Sequence, residues 1–176
     1  MSTRRYIIAG LIILGSCVLW RVRVYQTSGM VTQPEVQGID NTEYVYKHTV
    51  YPFAFTYPKG TTVEASIVDS GTMILVTDAV HDHIFQVYIQ EVGETSLDIT
   101  EARIRQDIPG ITIRDVQTVE VGTGARGTAF ISTDDVGEKR EVWFVFKGVL
   151  YQLSAPLTSD DFMRSILNTW QFNNTI

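Results

Sequence analysis

In Tyr51-Pro-Phe-Ala-Phe-Thr-Tyr-Pro-Lys-Gly60 an aromatic residue recurs at every second position from Tyr51 to Tyr57. Tyr51, Phe53, Phe55 and Tyr57 share one parity, while Ala54 and Thr56 occupy the other. A period of two places the four aromatic rings on one face of a β-strand. Pro58-Lys59-Gly60 closes that strand as a turn. The chain is therefore read as strand-rich from this point outward in both directions.

Just before it, Tyr44 and Tyr46 alternate with Val45 and Lys47 as a shorter strand. After it, Thr61 to Ile67, Thr72 to Thr77 and Ile84 to Val92 read as strands. Asp98-Ile-Thr-Glu101 has the spacing of a capping box, and Ile99, Ala102, Ile104 and Ile108 form a loose apolar stripe. A helix of about ten residues is expected there, stopped by Pro109-Gly110. Further strands follow at Ile111 to Val121, Thr128 to Thr133, Arg140 to Phe146 and Val149 to Ala155. Asp134 to Gly137 and Lys147-Gly148 are the turns between them. Thr158-x-x-Asp161 opens a last helix, with Phe162, Met163, Ile166, Leu167 and Trp170 on its buried face. Strands, helix, strands, helix is the order of an α+β domain. We expect a twisted, mostly antiparallel sheet packed with two helices.

The first 23 residues have a different texture. Tyr6 to Trp20 carries no charge and is flanked by Arg4, Arg5, Arg21 and Arg23. As a helix this run is about 22 Å long, against about 30 Å of hydrocarbon, and Trp20 and Tyr25 suit the interfaces. Residues 1–23 are expected to form an N-terminal signal anchor, a transmembrane helix entering the membrane through residues 6–20. Two alternatives remain open. Leu14-Gly-Ser-Cys17 resembles a bacterial lipobox, which makes Cys17 a lipidation candidate, although Val18, Leu19 and Trp20 prolong the apolar run. A cleaved soluble product is the other, although no A-x-A-like site follows. A pilin-like start requires an acidic residue early in the apolar run, and none is there. Residues 24–42 lack periodicity and read as a flexible linker, leaving 43–176 as the globular domain.

Four of the 14 basic residues precede Val24 and none of the 20 acidic ones do, so the remainder has 10 basic against 20 acidic, a net of −10. An acidic body repels phosphate backbones, and no nucleic-acid partner is expected. The short basic leader before a large acidic body fits an extracytoplasmic domain on a single-pass anchor. The sole cysteine, Cys17, excludes an intrachain disulfide.

Gly122, Gly124 and Gly127 match G-x-G-x-x-G. That fingerprint needs a strand turning into a helix whose N-terminus faces pyrophosphate. Thr-Ala-Phe-Ile-Ser-Thr follows Gly127 and has strand chemistry, so no nucleotide and no other cofactor is expected; the glycines read as a tight turn and a close approach. His81-Asp-His83 is the best chemical cluster. On a strand the two imidazoles share a face near Asp78, a candidate divalent-metal seat that lacks a third ligand unless His48 supplies it. The bland reading is a polar turn. No G-x-S-x-G elbow occurs, Ser154 reads as a pleat residue, and the pairs Asp134-Asp135 and Asp160-Asp161 read as a turn and a cap. Catalytic residues are therefore not assigned. The rings of Tyr44 to Tyr57 serve either as core or as a platform for sugar or peptide.

Several segments together resemble PsbP-like domains. Val50 to Gly60 is similar to the family's opening aromatic strand and turn. Gly127-Thr-Ala-Phe-Ile131 is similar to its glycine-led central strand, Glu141 to Leu153 to its late hairpin, and Phe162 to Phe172 to its closing helix and short strand. The resemblance spans roughly residues 43–173. It departs at Thr61 and Thr62, where many relatives carry a tryptophan. It implies an α/β/α-type sandwich and a binding or assembly role without catalysis, as in photosystem subunits and a nuclear transport factor that binds a small GTPase. No functional residue carries over. The resulting expectation is a membrane-tethered, bacterial, non-enzymatic domain that binds an unidentified envelope protein or supports an envelope assembly; the alternatives are an envelope metal-dependent enzyme or metal-binding protein using His81 and His83, or a sugar- or peptide-binding module.

Overall fold

The computed structural model describes residues 42–68, 71–93 and 98–172. The expected signal anchor, Cys17 and nearly all of the linker lie outside the described residues. Among the described residues no helix is long and apolar enough to cross a membrane.

Ten strands and two α-helices follow in the order β1 (Glu43–Lys47), β2 (Phe53–Pro58), β3 (Thr61–Val68), β4 (Gly71–Asp78), β5 (His83–Glu91), α1 (Glu101–Asp107), β6 (Thr112–Val121), β7 (Ala125–Asp134), β8 (Gly137–Phe146), β9 (Val149–Pro156), α2 (Asp160–Leu167) and β10 (Gln171–Phe172). Seven strands form one antiparallel sheet in the order β3-β4-β5-β9-β8-β7-β6. The aromatic strand β2 is not part of it. It pairs with β1 and β10 in a separate three-stranded antiparallel sheet, so the single sheet expected from the sequence is two. A period of two reveals which face a strand buries but not which strand it joins.

The layers follow from strand parity. On β8, Phe144 points into a core shared with α2 and the small sheet, whereas Trp143 points into a second cluster with Ile104, Ile108 and Phe130. Adjacent residues of a strand face opposite sides, so α1 and the pair of α2 with β1-β2-β10 lie on opposite faces of the large sheet. The larger core is aromatic. Phe53 stacks on Trp170 at 4.5 Å, Phe144 on Tyr151 at 4.9 Å and Phe146 on Phe172 at 3.8 Å. Phe53, Phe55 and Tyr46 are buried, and burial pushes the Tyr46 hydroxyl up to about 12. The alternating rings are core, which removes the main support for an exposed sugar or peptide platform.

Both helix starts differ from the sequence expectation. Thr100, not Asp98, caps α1: its hydroxyl accepts from the Arg103 N–H at 3.2 Å. The Thr128 hydroxyl donates to the Ile99 carbonyl and the Ile99 side chain is buried, which holds this segment extended until Thr100. Thr158 lies in a 3-10 turn, Leu157–Ser159, and Ser159 occupies the cap position of α2. The Ser159 hydroxyl serves the sheet instead, accepting from the Ile84 N–H at 3.1 Å.

Candidate functional site

The glycine motif is a hairpin. Gly122 and Gly124 have φ of 55° and 98° in the turn joining β6 to β7, and a Cβ on Gly122 would lie 2.8 Å from the Trp170 carbonyl oxygen. Gly127 is inside β7, where a Cβ would lie 2.9 Å from the Trp143 carbonyl oxygen. Strand, turn and antiparallel strand present no helix N-terminus, so the geometry of a dinucleotide loop is absent at this motif.

His81 and His83 do come together, with ring centroids 6.1 Å apart, and His83 stacks on Phe162 of α2 at 5.5 Å. Asp78 organises the hairpin tip between β4 and β5. Its Oδ1 accepts the N–H groups of Val80 and His81 at 3.0 and 3.2 Å, and its Oδ2 lies 2.7 Å from His81 Nδ1. The His81 hydrogen bond is the main influence holding the Asp78 carboxyl below its ordinary range. His48 is not brought to this tip. It belongs to the small sheet, where its Nδ1 accepts from the Val50 and Tyr51 N–H groups at 3.1 and 3.0 Å and its ring stacks on Phe53. Among the described residues, no group of three His, Cys, Asp or Glu adopts a metal-holding arrangement.

The most perturbed acid among the described residues is Glu141, which the sequence places in a β-hairpin downstream of the glycine motif. It lies on β8 opposite Ser154 of β9, and it is 7% exposed. Its Oε1 accepts from the Ser132 and Ser154 hydroxyls at 3.0 and 2.9 Å, and its Oε2 from Trp143 Nε1 at 3.3 Å. Burial outweighs these bonds and pushes the carboxyl up to about 7. Such a group has the proton affinity of a general acid or base. Both of its oxygens are engaged in these bonds, and it lines neither of the two clefts that flank the sheet. The available signal was an acid at the head of the apolar run Val142 to Phe146, in phase with Trp143.

Two clefts flank the sheet. One, of about 320 Å³, lies between the start of α1 and strands β6 and β7 around Thr100, Gln117 and Arg126. The other, of about 310 Å³, separates α2 from β6, β7 and β8. Val119, Ala129 and Val142 form its floor, and Met163 and Leu167 belong to its helical wall. At its rim, Asp160 Oδ2 is shared by Arg140 Nε at 3.4 Å and Arg164 Nη2 at 3.0 Å.

No family model matches the chain, and no curated protein matches it. Among solved structures, the solution structure of cyanobacterial PsbP (CyanoP) of Synechocystis aligns over 77% of this chain and 96% of that one, with a TM-score of 0.56 and 13% identity. The fold is PsbP-like. Nearly all of the CyanoP chain is matched, so the PsbP-like likeness covers a whole domain and not a shared hairpin. At 13% identity it extends to the backbone and assigns no side chain a role.

Proposed function

We propose that the chain is a membrane-tethered, extracytoplasmic and non-enzymatic domain that binds a partner protein, or supports an assembly, in the cell envelope. The likeness to the PsbP fold is the observation that carries this reading. The sequence supplies its location: an uncharged run at residues 6–20 between arginine pairs, followed by an acidic body. The chemistry of the body is consistent with it. Glu141 is enclosed by three donors, His81 is tied to Asp78, and His48 is spent on two backbone N–H groups. These polar groups are engaged in holding hairpins and strands together.

Affinity capture of the full chain from its native membranes tests the reading. One companion protein recovered in constant proportion to the bait is the expected result. Recovery of the chain with no other protein would remove the partner-binding role.

A further inference from the structure

The two edges of the seven-stranded sheet are built differently. β6 is protected. Its register with β7 shifts between Arg114 and Gln117, and Asp115 sits at φ 55° in that bulge. Arg114 is paired with Asp115 and Glu138, and Glu120 adds another charge. Bulges and charges are the usual means of keeping an edge from pairing with another strand.

β3 has no bulge and a single charge. All eight of its residues, Thr61–Val68, stay in unbroken register with β4, and it contains no proline, no lysine and one charge, Glu64. The other exposed edges among the described residues, β1 and β10, are only five and two residues long. Along β3, Val63, Ala65 and Ile67 share the face that leads into the larger core. Val63 packs against that core, whereas Ile67 is 92% exposed. An unbroken edge of this length with an uncovered isoleucine is a template for a further strand.

We propose that β3 is the seam at which two copies of this chain pair, antiparallel about a two-fold axis at Ala65, joining their seven-stranded sheets. The strand is self-complementary about Ala65, which favours a second copy as the occupant and sets the register. A two-fold axis normal to the sheet pairs residues of like parity. Centred on Glu64 it would set two carboxylates directly opposite each other, which destabilises a ladder. Centred on Ala65 it is the longest overlap that avoids this. Val63 then faces Ile67 of the second copy, Thr62 faces Val68, Glu64 faces Ser66, and Ala65 faces itself. The exposed Ile67 is covered by the residue that already touches the core. The acidic bodies oppose the approach, but their repulsion is screened beyond about 8 Å at physiological salt.

Directly opposed residues of an antiparallel pair have Cα atoms about 4.5–5.5 Å apart, within disulfide reach. The test is oxidative cross-linking of the full chain in its native membrane, in a Cys17→Ser background. Ala65→Cys should yield a disulfide-linked dimer of twice the chain mass, and Thr118→Cys on the β6 edge should not. Adding Ser66→Glu sets two new carboxylate pairs against Glu64 and should lower the Ala65→Cys dimer about fivefold, while Ser66→Lys should preserve it. Ser66 and Ala65 are exposed, so these changes leave the fold intact. Absence of the Ala65→Cys dimer would overturn the proposal. So would equal yield from both edges, indifference to Ser66→Glu, or an adduct with a different protein.

Discussion

Glu141 concentrates the electrostatics of the body in one side chain. Its carboxyl is raised from 4.5 to about 7 by burial, so the folded protein holds a proton there that the unfolded chain releases. The stability this contributes is complete below pH 4.5 and is lost as pH rises through 7. The shift corresponds to roughly 3 kcal/mol. Glu141→Gln keeps an acceptor for Ser132 and Ser154 and removes the titration. Its NH2 faces the Trp143 Nε1 donor, a cost that does not vary with pH, so urea denaturation should find the difference between variant and parent moving in the variant's favour by about 2–3 kcal/mol from pH 4.5 to pH 8. A constant difference across that range would contradict the assignment. His48 acts in the opposite sense. Burial lowers its pKa, and only the neutral ring offers Nδ1 to the Val50 and Tyr51 N–H groups. Its contribution is present above pH 6.5 and lost as pH falls below it, so His48→Asn should weaken the dependence of stability on pH below 6.5. Glu141 was hard to recognise in the sequence because its partners come from three strands. Ser132 and Ser154 lie 9 and 13 residues away, and no local spacing joins them.

At the level of elements, periodicity carried most of what the sequence offered. The parity of Phe53 to Tyr57, the turn at Pro58-Lys59-Gly60 and the hairpin at Lys147-Gly148 all stand where alternation put them, whereas Tyr51 lies in the bend before β2. Assignments that depend on distant contacts fared worse. Asp98 has the right spacing for a cap, but the Thr128 hydroxyl on the Ile99 carbonyl delays the helix to Thr100. β10, by contrast, is the short closing strand that the PsbP-like resemblance implied; it is two residues long and forms because Phe172 has β2 and the aromatic core to pair with. The glycines illustrate the same division. Gly127→Val forces a side chain into the Trp143 carbonyl within the sheet, and a loss of about 2–3 kcal/mol is expected in thermal or urea unfolding. Gly124 has φ 98° with open space around it, so Gly124→Ala should lose only about 1 kcal/mol, through backbone strain. Similar losses at both positions would contradict the separate roles of turn and close approach.

For the molecule as a whole, the aromatic core is what joins the two sheets. Trp170, 2% exposed, meets Phe53, Phe55, Phe144 and Tyr151 at the junction. Trp170→Ala should cost about 3–5 kcal/mol and detach β1-β2-β10 from the large sheet, seen as lost near-ultraviolet dichroism and early protease cleavage around residue 50. The fold class was legible because strand parity, turns and the closing helix agree with one another. The division into two sheets was not, because it is decided by which strands meet across the core. The partner was not legible either, because the polar clusters turn out to be joints of the framework.

The proposed function requires residues 1–23 to hold the PsbP-like body outside a membrane. Fractionation of the full chain from its native cell tests it most directly, with carbonate washing of the membranes and protease added from the outer side. The account predicts that the chain stays in the washed pellet and that its body is digested by the added protease. Full-length protein in the cytosolic supernatant, without detergent, would contradict it.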